Sequence, residues 1–132
     1  MILVDTSILI NYFKGANNPK TKKFEKILEN GTPFGINNFI YQEVLQGASG
    51  GKEFSLLNRY LNSQKFYELH YGTRSYENVA KIYYLCRKKG ITPRSTIDLL
   101  IAETAIENNL FLFHDDKDYT KIASVIKDLK EY

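Results

Sequence analysis

The sequence predicts an α/β fold with a mainly parallel central sheet of four or five short strands. Three observations carry this expectation. Short unbroken apolar runs at 2–4 (ILV) and 110–113 (LFLF) fit strands covered on both faces. Between such runs lie stretches whose apolar residues recur every three to four positions, the period of an amphipathic helix. The two patterns alternate along the chain, so each strand is followed by helix that can return the chain for another strand in the same direction.

Each element has its own signal. After strand 2–4, Asp5-Thr6-Ser7 offers N-cap chemistry, and ILINYF continues as a helix ending before Gly15. The polar stretch 16–23 (ANNPKTKK) leads into a helix from about Pro19 to Asn30, with Phe24, Ile27 and Leu28 at helical spacing and Asn30-Gly31 closing it. PFGI (33–36) reads as a second strand. Asn37 and Asn38 can cap the next helix, FIYQEVLQGA, which carries Glu43, and GASGG (47–51) breaks that pattern. A helix over 52–64 follows, with Phe54, Leu57 and Leu61 on one side, and KFYEL (65–69) reads as a third strand. Thr73 to Lys89 is helical, with Val79, Ile82, Tyr83 and Cys86 on its apolar face and Gly90 ending it. ITPR (91–94) is a loop. Ser95 or Thr96 caps a helix to about Asn109, and the LFLF strand comes next. HDDKDY (114–119) is a polar turn, YTKIASVI a short helical turn, and KDLKEY a candidate last strand.

Size and composition narrow the function classes. A chain of 132 residues, 43% hydrophobic and 25% charged, makes one globular domain, 1–132. Its one cysteine, Cys86, forms no internal disulfide and offers no cysteine metal site, which fits a reducing cytoplasm. No apolar run approaches the roughly 18–20 residues of a membrane span, and Asp5 interrupts the N-terminal stretch, which excludes a signal peptide. The net charge of +3 is compatible with an acidic partner such as nucleic acid.

The acids then converge. In a parallel sheet, the C-terminal ends of strands and the N-terminal ends of helices share one edge, and ligands bind in the crevice there. Asp5 follows the first strand, Asp115, Asp116 and Asp118 follow LFLF, and Asp98 lies in the first turn of the helix begun by Ser95. Glu43 sits a little over one turn into a helix that starts at the same edge. Carboxylates gathered so closely repel one another, and a divalent cation removes that conflict. All-oxygen ligation without a cysteine or histidine cluster suits Mg²⁺ or Mn²⁺, and one or two such ions can activate water and steady a phosphate under in-line attack.

Each residue also has a plainer reading. Asp5 can simply cap its helix. Ser95-Thr96-Ile97-Asp98 has capping-box spacing. Glu43 alone is an ordinary helical acid, and Asp115 is the bystander of its turn. His70, His114 and Cys86 read as structural. Most lysines belong to a solvated face. Arg94, beside the Ser95 cap, is the best phosphate contact, with Lys14 and Lys117 behind it.

VDTS (4–7), QEVLQG (42–47), STIDLLIAETA (95–105) and LFHDDKDYTKIA (112–123) together resemble the PIN domain family, and more narrowly the VapC-type toxins of type II toxin–antitoxin pairs. The likeness is least marked over about 50–90. It implies a PIN-like three-layer sandwich and a cytoplasmic Mg²⁺- or Mn²⁺-dependent endoribonuclease, held inactive by a VapB-type antitoxin and forming a homodimer. The four acidic positions carried over are Asp5, Glu43, Asp98 and Asp116, with Asp118 as a further ligand through water. Ser7, beside Thr6, matches the family's small hydroxyl residue near the first acid. Tyr119 stands where Phe is also common. Glu103, about 140° round the helix from Asp98, stays outside this set. The competing reading is a catalytically silent PIN-like module that binds RNA or protein. A phosphoacceptor domain would need an Asp at the end of a middle strand, which is missing here. A dehalogenase-like phosphatase would need an acid where Ser7 stands.

Overall fold

A computed structural model describes residues 1–132. Five strands alternate with seven helices: β1 (Ile2–Val4), α1 (Thr6–Phe13), α2 (Pro19–Glu29), β2 (Phe34–Ile36), α3 (Asn38–Gln46), α4 (Gly51–Asn62), β3 (Lys65–Phe66), α5 (Thr73–Lys88), α6 (Thr96–Glu107), β4 (Phe111–Phe113), α7 (Lys117–Val125) and β5 (Lys130–Glu131). The sheet runs β3-β2-β1-β4-β5, and every pairing in it is parallel.

That order decides where the site lies. The chain leaves β1 toward β2 and β3, then returns across the sheet to place β4 on the other side of β1. Right-handed crossovers therefore put α1 to α4 on one face and α5 to α7 on the other. In the packing, α1 rests on α2 and α3, α3 on α4, and α5 on α6 and α7, while α3 also meets α6. The strand order reverses between β1 and β4, which opens a crevice at their C-terminal ends. The central strands are apolar because both faces are covered. Leu3, Val4, Ile36, Leu112 and Phe113 are completely buried, each worth about 1.5–3 kcal/mol of transfer free energy.

Helix starts follow local chemistry. Asp5, Asn18, Asn37, Ser95 and Asp116 each accept a hydrogen bond from a backbone N–H of the first turn. Three expected boundaries differ. The third strand is two residues, not 65–69, although Tyr67 N still donates to Ile36 O at 2.8 Å. The last strand is likewise only Lys130–Glu131. The turn expected over 114–119 ends early, because Asp116 caps α7 and draws Asp118 and Tyr119 into its first turn. No helix is long and apolar enough to cross a membrane.

Candidate metal centre

Asp5 is the best-anchored acid. Its backbone N donates to Phe113 O at 2.9 Å, tying the end of β1 to the end of β4. The residue as a whole is 4% exposed. Oδ2 accepts from Ser7 N at 2.9 Å and Ser7 Oγ at 2.6 Å, so the cap and the site use one carboxylate. Ser7 Oγ in turn accepts from Asp115 N at 2.9 Å, joining the two strand-end turns. Asp115 itself is exposed.

Around Asp5 the other acids arrive from separate elements. A cleft of about 270 Å³ is lined by Asp5, Thr6, Ser7, Ile10, Asn11, Glu43, Asp98 and Asp116. Glu43 enters from α3, where Thr6 Oγ1 donates to its Oε1 at 2.7 Å. Asp98 enters from the first turn of α6. Ser95 Oγ caps its N–H at 3.4 Å, while its carboxyl turns to Tyr119. Asp116 caps α7 through Oδ1, which accepts from Asp118 N at 2.9 Å. Carboxylate oxygens of Asp98, Asp116 and Asp118 lie within 4.8 Å of one another. Asp118 is buried at one side, its Oδ2 accepting from Arg94 Nε at 3.0 Å. The Arg94 side chain is 79% exposed, so solvent screens this pair and Arg94 is easily exchanged to another anion.

The electrostatics record the crowding. Burial, then the charges of Asp5 and Asp116, push the Asp98 carboxyl up to about 7. Burial also raises Glu43; the Thr6 hydroxyl opposes this and the charge of Asp5 adds to it. The Tyr119 phenol is driven well above its ordinary value by burial and by the facing carboxylates of Asp5 and Asp98. A set of close, oxygen-only donors that holds protons for want of counter-charge fits a hard divalent cation.

Four expected acids, Asp5, Glu43, Asp98 and Asp116, therefore line one cleft, with Asp118 and Arg94 at its side. Thr6 and Ser7 hold Glu43 and Asp5 respectively. Lys117 is exposed at the start of α7. Lys14 lines a different groove, with Ile10, Phe13, Val44, Gly47, Glu53 and Leu57. Asn11 went unread in the sequence, as did the partners of His114, which reads as structural, and of Tyr119. Asn11 follows one turn behind Ser7, a spacing that could have identified it. His114 accepts from Asp116 N through Nδ1 at 3.1 Å and bonds Glu131 through Nε2 at 2.7 Å. Tyr119 donates toward Asp5 Oδ1 at 2.8 Å and Asp98 Oδ1 at 3.2 Å.

Comparison with known proteins gives a consistent picture. A family model described as the PIN domain matches residues 2–125. Ribonuclease VapC11 of Mycobacterium tuberculosis is 29% identical over 126 residues, covering 95% of this chain and 93% of that protein. VapBC-1 from nontypeable Haemophilus influenzae shares the fold with a TM-score of 0.69 at 23% identity, covering 100% of this chain and 97% of that one. A toxin–antitoxin complex from Klebsiella pneumoniae matches with a TM-score of 0.64 at 22% identity, covering 98% and 99%.

Proposed function

The chain belongs to the PIN domain family, and from this premise we propose that it is a Mg²⁺- or Mn²⁺-dependent endoribonuclease, the toxin of a toxin–antitoxin pair. The carrying observation is the cleft itself, where four carboxyl groups from four separate segments meet at the sheet's switch point. Relatives named as VapC ribonucleases support the choice of RNA as substrate. The single cysteine, a buried free thiol, agrees with a cytoplasmic setting.

Asp5, Asp98 and Asp116 would hold one or two ions, with Glu43 completing the ring and Asp118 contributing through a water. When bound, the ion supplies Lewis-acid stabilisation of phosphoryl charge and makes water more acidic. The chain's own groups do the rest. Ser7 and its N–H aim the Asp5 carboxylate, and Thr6 aims Glu43. Asp98 would hold the ion as a carboxylate, giving up the proton that burial and its acidic neighbours favour. Arg94 can leave Asp118 for a phosphate oxygen, a charge-assisted bond of the same kind. Lys117 and Lys14 stand farther out as backbone contacts for a longer RNA.

The antitoxin partner follows from the same reading. Ile10 lines both the acidic cleft and the adjoining groove of Phe13, Val44 and Leu57, so a partner segment on α1, α3 and α4 would reach the acids. A toxin–antitoxin complex that shares this fold supports a VapB-type protein in that role. The free protein is proposed to be a homodimer, which light scattering after gel filtration would check.

The deciding experiment treats total RNA with the purified protein in Mn²⁺, Mg²⁺ or EDTA, beside Asp5→Asn and Asp116→Asn, and maps fragment ends by sequencing. Metal-dependent cuts lost in both variants, with folding intact, are expected. RNA retained by gel shift but never cut in any metal would move the reading to a silent binding module.

A further inference from the structure

Among the hydrogen bonds of the cleft, one hydroxyl stands between two acids: that of Tyr119, whose single proton is shared between Oδ1 of Asp5 at 2.8 Å and Oδ1 of Asp98 at 3.2 Å. The ring is 0% exposed and packs at 4.9 Å, centre to centre, on His114. Phenylalanine would fill the same apolar space, so packing does not explain the oxygen. A buried hydroxyl is costly unless bonded, and here both bonds go to carboxylates. The geometry divides the labour within each acid. Asp5 gives Oδ2 to Ser7 and Oδ1 to Tyr119, while Asp98 gives Oδ1 to Tyr119 and keeps Oδ2 without a protein partner.

We propose that Tyr119 is a positioning residue, whose hydroxyl holds Asp5 and Asp98 at a fixed mutual spacing and orientation so that the divalent-cation site is assembled before the ion arrives. The inference rests on the metal-dependent reading above. Two acids crowded in one cleft do not keep a fixed spacing unaided, and a neutral donor between them orients both and reduces their repulsion when both are charged. In both contacts the hydroxyl faces an acid oxygen, so it serves as donor, not base. Ser7 and Thr6 act on one acid each; Tyr119 couples two that enter from β1 and α6.

The test compares wild type, Tyr119→Phe, and a variant with 4-aminophenylalanine at 119, which restores an N–H donor at the same place. Mn²⁺ alone is titrated calorimetrically into each EDTA-stripped protein, with circular dichroism reporting the metal-free fold. Loss of the hydroxyl is expected to weaken Mn²⁺ binding by about tenfold or more, and the amino variant to recover most of that loss. Cleavage by Tyr119→Phe should return toward the wild-type rate as Mn²⁺ is raised to saturation. Superimposable titrations of wild type and Tyr119→Phe would overturn the proposal, and so would weakened binding that the amino group does not restore. A wild type that takes up no Mn²⁺ would instead remove the metal site itself, an outcome read from that arm alone.

Discussion

Asp98 keeps its proton to about pH 7, whereas an unperturbed aspartate loses it near 3.8. Between those values the folded, metal-free protein binds more protons than the unfolded chain, so its stability falls as pH rises through that window. Glu103, buried on the far side of α6, is also raised to about 7, first by burial and then by Glu107, and adds a fall of the same sign. In EDTA, the melting temperature should therefore drop by a few degrees from pH 5 to 7.5. Asp98→Asn should flatten part of the slope, and Glu103→Gln another part. Unchanged slopes in both variants would show that the native carboxyls do not carry the effect. Added Mg²⁺ should act in the opposite sense, with a larger thermal shift at pH 8 than at pH 5.5, because protons and metal compete for the same oxygens.

At the scale of elements, small residues hold the acids' supports in place. Asn37 caps α3 through Oδ1, which accepts from Ile40 N at 2.9 Å, and its Nδ2 donates to Thr104 Oγ1 on α6 at 3.0 Å. Asn37→Ala loses both bonds in a buried setting, a cost of about 2 kcal/mol by chemical denaturation. Because α3 carries Glu43, cleavage should fall further than stability alone explains. Gly35 in β2 has no room for a side chain: a Cβ would lie 2.7 Å from Lys65 O and 2.5 Å from the Tyr67 ring. Gly35→Ala is expected to destabilise by about 1–3 kcal/mol as β2 and β3 are forced apart. The same elements show what was legible beforehand. Helix starts were readable because a cap is a local event, and sheet topology brings the segments of Asp5, Asp98 and the 115–118 acids together; Glu43, and Asp116 within its turn, were singled out only by the family resemblance, because the face a helix turns inward is not written locally. The lengths of β3 and β5 were not, since strand pairing is settled by distant partners such as Gly35 with Lys65. Nor was the direction of Lys14, or the reach of the Tyr119 hydroxyl, because each depends on how a helix is rotated against its neighbours.

At the scale of the whole molecule, a cation that binds only the native state must stabilise it. Millimolar Mn²⁺ should raise the melting temperature of wild type and leave Asp116→Asn nearly unmoved; equal shifts in the two proteins would point to binding elsewhere. The sheet order has a further consequence, in time. β1 sits between β2 and β4, and the bond from Asp5 N to Phe113 O needs the end of β4. With every pairing parallel, no hairpin can form early, and contacts between distant segments must wait for the chain that makes them. At ordinary rates of synthesis, Asp5 leads Asp116 and Tyr119 out of the ribosome by on the order of ten seconds. A nascent chain thus carries its first acid long before it has a cleft, and no foldable fragment short of β4 holds the charged centre.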